Sequence, residues 1–215
     1  GDVPWLWLSA RTFGIGAWLA SSLTILLGLT VSTRLVGRKR PPRMTTALHR
    51  SLATLTLVFV LGHIAALIPD PYAKISFIDT VVPGLAPTNT VATAFGSIAF
   101  LALLLVSLAG ILRSHMSARV WKAVHSVAFV VWPLASVHFI VMGTDALASW
   151  SLVMIFAVGA LVVLLLLRRG YVRPRRTARK SAQGDPKRLS ASGVNSMSGA
   201  PRAAELTISR VIDET

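Results

Sequence analysis

The chain contains no cysteine among its 215 residues. This absence excludes disulfides, iron–sulfur clusters bound by thiolates and the thioether attachment of a c-type haem. Charged residues are also scarce, at 14% of the chain, compared with about 25% in soluble domains. Because 53% of the residues are hydrophobic, the composition indicates an integral membrane protein.

Acidic residues are the scarcest charged type, since 8 Asp and Glu stand against 22 Lys and Arg, for a formal net charge of +14. The basic residues cluster between apolar segments and in the C-terminal part. Nucleic-acid binding needs a basic face on a folded soluble domain instead. We therefore expect membrane lipid, and no nucleic acid, as a partner.

Five apolar segments are long enough to cross a bilayer as helices, which takes about 20 residues each. They predict an all-α integral membrane protein built as a bundle of five transmembrane helices. The longest loop, residues 70–88, contains an apolar stretch that is either an interfacial segment or a plain structured loop. The predicted spans are 12–33, 46–69, 89–112, 118–142 and 149–168.

The loops alternate in charge along the chain. Lys and Arg are concentrated after the first, third and fifth spans, whereas the other two loops carry Asp residues and a single Lys. Basic loops stay on the cytoplasmic side, so we expect the N-terminus outside and the C-terminus in the cytoplasm. Residues 1–170 are predicted to form the membrane bundle. Residues 171–215, rich in basic residues, Ser and Gly, are predicted to be a disordered cytoplasmic tail.

Four of the five histidines lie inside two of the predicted spans. His49 and His63 share the second span, and His125 and His138 share the fourth. A histidine in the hydrocarbon region is costly and indicates a functional role. Fourteen helical residues rise about 21 Å and turn about 1400°, which places His49 and His63 on one face. Both spans run in the same direction, so His49 is expected to face His125, and His63 to face His138.

The spacing of the two histidines in the fourth span is less regular. Thirteen residues of ideal helix turn about 1300°, which leaves His125 and His138 about 140° apart around the helix axis. Pro133 lies between them and removes the hydrogen bond to the carbonyl of Phe129. We expect a kink at Pro133 that turns both rings to one side.

Two histidines at each of two levels fit the axial ligation of haem. Zinc takes three or four protein ligands, whereas a planar haem takes one or two, and histidine is a standard choice. Haem iron would then be the only metal bound, through His49, His63, His125 and His138, and no residue is predicted to be catalytic. Arg11, Arg50 and Lys122 are candidate contacts for the haem propionates, with snorkelling interface anchors as the alternative.

This arrangement resembles the ferric reductase-like transmembrane domain family. The family includes the membrane parts of NADPH oxidases and ferric reductases, and the haem-binding membrane subunit of periplasmic methionine sulfoxide reductase systems. The resemblance covers residues 5–168. It implies two b haems with the four histidines as axial ligands, and electron transfer across a bacterial plasma membrane. It is carried by the histidine spacing and by Ala10-Arg11-Thr12-Phe-Gly14, Leu48-His49-Arg50 and Arg119-Val-Trp-Lys-Ala-Val-His125.

The sequence contains no Gly-x-Gly-x-x-Gly that follows a strand and opens a helix, as nicotinamide binding by that fold would need. Electrons are expected from a separate flavoprotein reductase or a quinol, with a flavin or quinone supplied by the partner. They would pass to an extracytoplasmic acceptor. The chain is thus expected to be the electron-transfer subunit of an oxidoreductase rather than a complete enzyme. The alternatives are a transporter or proton relay with titrating histidines, and a structural subunit whose histidines join helices.

Overall fold

The computed structural model describes residues 4–33, 42–145 and 147–182, and all regular secondary structure in these ranges is helical. Five helical segments are long and apolar enough to cross a membrane. The prediction of a multi-pass, all-α membrane protein is confirmed at this level. The candidate membrane segments are Trp5–Thr33, Arg43–Leu67, Thr90–His115, Ala118–Met142 and Ser149–Arg169.

The first helix begins at Trp5, before the predicted start at residue 12, because Arg11 does not interrupt it. The amide of Leu8 donates to the carbonyl of Pro4 at 2.9 Å and closes the first turn. In chain order the helices are α1 (Trp5–Thr33), α2 (Pro42–Leu67), α3 (Phe77–Val81), α4 (Thr90–Ile111), a 3-10 turn (Leu112–His115), α5 (Ala118–Ser126), α6 (Ala128–Met142) and α7 (Ser149–Ala182).

Helix α7 continues past the predicted end of the last span at residue 168. Arg, Lys and Ala are good helix formers, so the loss of apolar character does not by itself end a helix. The chain divides into two units, Gly1–Arg169 and Gly170–Thr215. The tail was predicted over residues 171–215. Of these, residues 183–215 lie outside the described residues.

The bundle is organised by two antiparallel helix pairs. Helix α1 packs along α2, α4 packs along α6, and α1 also contacts α6. Small residues of α1, such as Ala10, Ala17 and Ala20, are almost completely buried, which lets the neighbouring backbones approach closely. Leu29 of α1 and Leu165 of α7 belong to one buried cluster, which joins α7 to the bundle.

The fourth span is divided by an interruption at Val127. The amide of Val127 donates to the carbonyl of Val124 at 3.0 Å, and the amide of Val130 donates to the carbonyl of Val127 at 2.9 Å. Such tight turns rotate by about 120° per residue instead of about 100°. The extra rotation acts in the direction that closes the gap between the two histidines of this span. The interruption therefore lies at Val127, and Pro133 lies within α6, one turn after the helix resumes.

The loop between α2 and α4 is structured around α3. Ser76 and Asp79 form a capping box, in which the Ser76 amide donates to the Asp79 carboxylate at 2.8 Å and the Asp79 amide donates to Ser76 Oγ at 3.4 Å. The hydroxyl of Ser97 in α4 donates to the carbonyl of Asp79 at 3.0 Å. The loop is thus fastened to α4, while Phe77 and Ile78 remain exposed.

Two Trp–Ser pairs cross-link the middle of α1 to α6. The indole N–H of Trp18 donates to Ser136 Oγ at 3.0 Å, and that hydroxyl donates to the carbonyl of Trp132 at 2.8 Å. In return, the indole N–H of Trp132 donates to Ser22 Oγ at 2.9 Å, and that hydroxyl donates to the carbonyl of Trp18 at 2.8 Å. The four bonds form a closed ring, so every polar side chain in it is satisfied inside an apolar layer.

Replacing Ser136 by Ala is expected to lower the free energy of unfolding by about 0.6 to 1.7 kcal/mol, the usual range for an interhelical hydrogen bond in a membrane. The measurement is reversible unfolding of the purified protein in detergent or bicelles. Ser126→Ala is the matched control, because this exposed hydroxyl bonds to the carbonyl of Ala123 in its own helix. Equal losses in the two variants would contradict the cross-link.

Candidate functional site

The four histidines of the predicted spans lie in two pairs at two levels of the bundle. His49 of α2 lies beside His125 of α5, with ring centroids 6.1 Å apart; we call these the first pair. His63 of α2 lies beside His138 of α6, with ring centroids 6.4 Å apart; these are the second pair. The structure thus brings together the residues that the helix directions predict to face each other. All four rings are half-buried.

The ring separations suit one metal ion between each pair. An imidazole nitrogen binds a metal at about 2.0 Å, and the ring centre lies roughly 1.1 Å behind it, so two rings on opposite sides of one metal have centroids about 6.2 Å apart. The observed separations of 6.1 and 6.4 Å match this value. The ring planes are inclined by 68° in the first pair and 84° in the second.

Hydrogen bonds to the backbone orient the second pair. Nδ1–H of His63 donates to the carbonyl of Ala10 in α1 at 2.7 Å, and Nδ1–H of His138 donates to the carbonyl of Ala92 in α4 at 2.8 Å. A carbonyl can only accept, so Nδ1 carries the proton of the neutral ring and Nε2 keeps its lone pair. This is the arrangement found for metal-binding histidines, whose other ring nitrogen donates to a carbonyl or carboxylate.

Glycines make room for these rings. A Cβ atom at Gly14 would lie 3.1 Å from Nδ1 of His63, and one at Gly96 would lie 2.8 Å from Nδ1 of His138. At the first pair, a Cβ atom at Gly28 would lie 3.3 Å from Cε1 of His49. The histidines therefore depend on close approach by α1 and α4, which themselves carry no histidine.

The same five-residue pattern supplies both the carbonyl and the glycine to the second pair. It is Ala-x-x-Phe-Gly, at residues 10–14 of α1 and residues 92–96 of α4. In each copy the alanine carbonyl accepts from the histidine, and the glycine lies against the ring. The second copy was not among the predicted site residues, although the repetition is readable in the sequence.

The first pair is held differently. Nδ1 of His49 is buried, and the backbone of Thr24 beside it falls short of hydrogen-bond geometry. The indole of Trp121 stacks on the ring of His125, with centroids 4.8 Å apart and planes inclined by 12°. The guanidinium carbon of Arg113 lies 4.8 Å from the centroid of the Trp121 ring. At His125, ring stacking thus takes the place of the backbone hydrogen bond found at each ring of the second pair.

The residues predicted to contact propionates have different surroundings. Arg11 forms an ion pair with Asp145, in which Nε donates to Oδ2 at 2.6 Å, and its guanidinium lies 5.2 Å from the centroid of the Trp7 ring. Asp145 was not predicted, because it lies 134 residues away in the chain. Arg50 and Lys122 are exposed, and their role as propionate contacts stays a prediction.

Two histidines per pair favour a metal whose remaining ligands come from a cofactor. Among the described residues, no group of three or more His, Cys, Asp or Glu side chains is placed to hold a metal ion. A zinc site with three or four protein ligands is therefore not formed there. Two facing imidazoles suit a planar macrocycle that fills the equatorial positions itself.

Comparisons of the chain with protein-family models, curated proteins and solved structures find no match.

Replacing Gly96 by Ala is expected to destabilise the protein. The added methyl would lie 2.8 Å from both Nδ1 and Cε1 of His138, so α4 must move away or the ring must turn, at a cost of about 1 to 3 kcal/mol. The measurement is the free energy of unfolding in detergent. Gly110→Ala in the same helix is the control, because its Cβ would meet nothing within 4 Å. Equal effects of the two substitutions would contradict the close approach.

Proposed function

We propose that the chain is a b-type membrane cytochrome that carries electrons across the bilayer through two bis-histidine haems, one at each histidine pair. The observation that carries this proposal is the presence of two pairs of facing imidazoles with centroid separations of 6.1 and 6.4 Å. When bound, haem supplies reversible one-electron chemistry at its iron. The part of the protein is to hold and orient the two axial rings.

The residues present fit this group best at the second pair. Ala10 and Ala92 accept from Nδ1 of His63 and His138 and leave Nε2 of each ring as the available ligand atom. Filling both axial positions with histidine leaves none open for oxygen or another small ligand. This favours electron transfer over ligand binding.

The separation of the two pairs supports a path across the membrane. His49 and His63 lie about 21 Å apart along α2, most of the roughly 30 Å thickness of the hydrocarbon core. Both pairs lie in the candidate spans Arg43–Leu67 and Ala118–Met142. Each pair therefore lies near one side of the bilayer.

Charge supports an orientation with the first pair on the cytoplasmic side. Most cationic residues of the described chain lie where α2 and α5 begin, just after α4, and from the end of the candidate span Ser149–Arg169 onward, as the positive-inside rule requires of a cytoplasmic face. Asp70, Asp79 and Asp145 lie in the loops at the opposite end. The N-terminus is then outside. The cations at the proposed cytoplasmic end are Arg43, Arg50, Arg113, Arg119, Lys122, Arg168 and Arg169.

In this orientation the chain serves as the membrane part of a ferric reductase-like oxidoreductase. A separate flavoprotein reductase or a quinol supplies electrons, and an acceptor outside the cytoplasm takes them. The alternative, a transporter or proton relay, has less support. A proton path needs groups between the two levels that can accept and release protons, and the Ser22 and Ser136 hydroxyls there are committed to a closed ring of hydrogen bonds.

Replacing His63 or His138 by Ala removes one axial ligand of the second pair. Each substitution is expected to reduce the haem b content by about half, because the first pair keeps both of its ligands. Haem content is measured from the Soret band, the reduced-minus-oxidised spectrum and pyridine haemochromogen. His115→Ala is the control, since this exposed residue lies in the 3-10 turn outside both pairs.

A colourless wild-type protein from haem-supplemented cells would contradict the proposal. Full haem content in His63→Ala and His138→Ala would contradict the assignment of the second pair. If the histidines only joined helices, their substitution would lower the yield of folded protein, and no haem spectrum would exist to lose.

A further inference from the structure

The two histidine pairs differ in the groups that hold their rings. In the second pair, both Nδ1 atoms donate to backbone carbonyls, at 2.7 and 2.8 Å. In the first pair, His125 is stacked on Trp121, and Nδ1 of His49 is buried without a regular hydrogen bond. Two haem sites with the same axial ligands and different surroundings would have different reduction potentials.

Trp121 contacts two other side chains at the first pair, His125 and Arg113; we call these contacts the Arg113–Trp121 stack. Trp121 and His125 are four residues apart on α5, so their side chains are neighbours on one helix face. Arg113, in the 3-10 turn that precedes α5, places its guanidinium carbon 4.8 Å from the centroid of the same indole. Ser117 caps α5, accepting from the amide of Val120 at 3.3 Å. Trp121 thus contacts both an exposed cation and a histidine within the bundle.

We propose that Trp121 is a positioning residue for His125, and that the Arg113–Trp121 stack gives the first pair a higher reduction potential than the second pair. This inference rests on the proposed haem function.

Two effects act in the same direction. At the second pair, donation from Nδ1 would make His63 and His138 stronger electron donors to a bound iron, which would stabilise its oxidised form and lower its reduction potential. At the first pair, the charge of Arg113 opposes positive charge on a group bound at His125 and raises the potential. The described neighbours of this stack are also cationic, with Arg119 and Lys122 on the same helix.

The test of Arg113 is spectroelectrochemical titration of the purified full-length chain with its haem. The wild-type protein is expected to show two one-electron transitions. The transition that persists in His138→Ala belongs to the first pair and is expected to be the higher one. Arg113→Gln should lower this transition and leave the other in place, and Arg113→Lys should restore it. Arg119→Gln, the same charge change without the stack, should have a smaller effect.

The test of Trp121 is low-temperature EPR of the oxidised protein, which reports the orientation of the axial rings. Trp121→Leu is expected to shift the g values of one of two low-spin signals, because the ring of His125 loses its stacking partner. Trp121→Phe should restore the signal, since an aromatic face is kept. Trp150→Leu, at an exposed tryptophan of α7, is the control and should leave both signals unchanged.

Several results would overturn the inference while leaving the proposed function intact. They are two haems with equal potentials, an equal shift of both transitions in Arg113→Gln, or unchanged signals in Trp121→Leu. A protein without haem would overturn the proposed function first and the inference with it. If Trp121→Leu does not fold, the Arg113 variants decide the outcome, because they change an exposed side chain.

Discussion

A histidine ring inside an apolar helix needs a partner for each of its two nitrogens, and much of this structure follows from that need. For His63 and His138 the first partner is a backbone carbonyl of an antiparallel neighbour, which accepts from Nδ1. A helical carbonyl is reachable only if the two backbones approach closely, and Gly14 and Gly96 allow this. The bond also leaves the lone pair of the neutral ring on Nε2, the nitrogen that can bind a metal.

This requirement explains why two helices without histidines are central to the site. Helices α1 and α4 each carry Ala-x-x-Phe-Gly, and each copy serves one histidine of the second pair. The closed ring formed by Trp18, Ser22, Trp132 and Ser136 fixes α1 against α6. His63, bound to α1, and His138, carried by α6, are thereby held at a constant separation. The packing of the helices thus also determines the positions of the two histidines.

Much of this arrangement could be predicted from the sequence. The five spans follow from apolar length, and the pairing of His49 with His125 and of His63 with His138 follows from helix rise and direction. These are local properties of single helices. The interruption at Val127 was not predicted, because no glycine or proline marks that turn in the sequence. The kink expected at Pro133 stays a prediction.

Contacts between distant segments could not be predicted in the same way. The pairing of Arg11 with Asp145, the stacking of Trp121 on His125 and the fit of Gly96 against His138 depend on how helices lie beside each other. Helix periodicity does not determine how two helices lie beside each other.

The most direct test of the proposed haem binding is the molar ratio of haem b to purified full-length protein, measured by pyridine haemochromogen. Two haems per chain are expected, and a chain that binds none, or only one, would contradict one haem at each histidine pair.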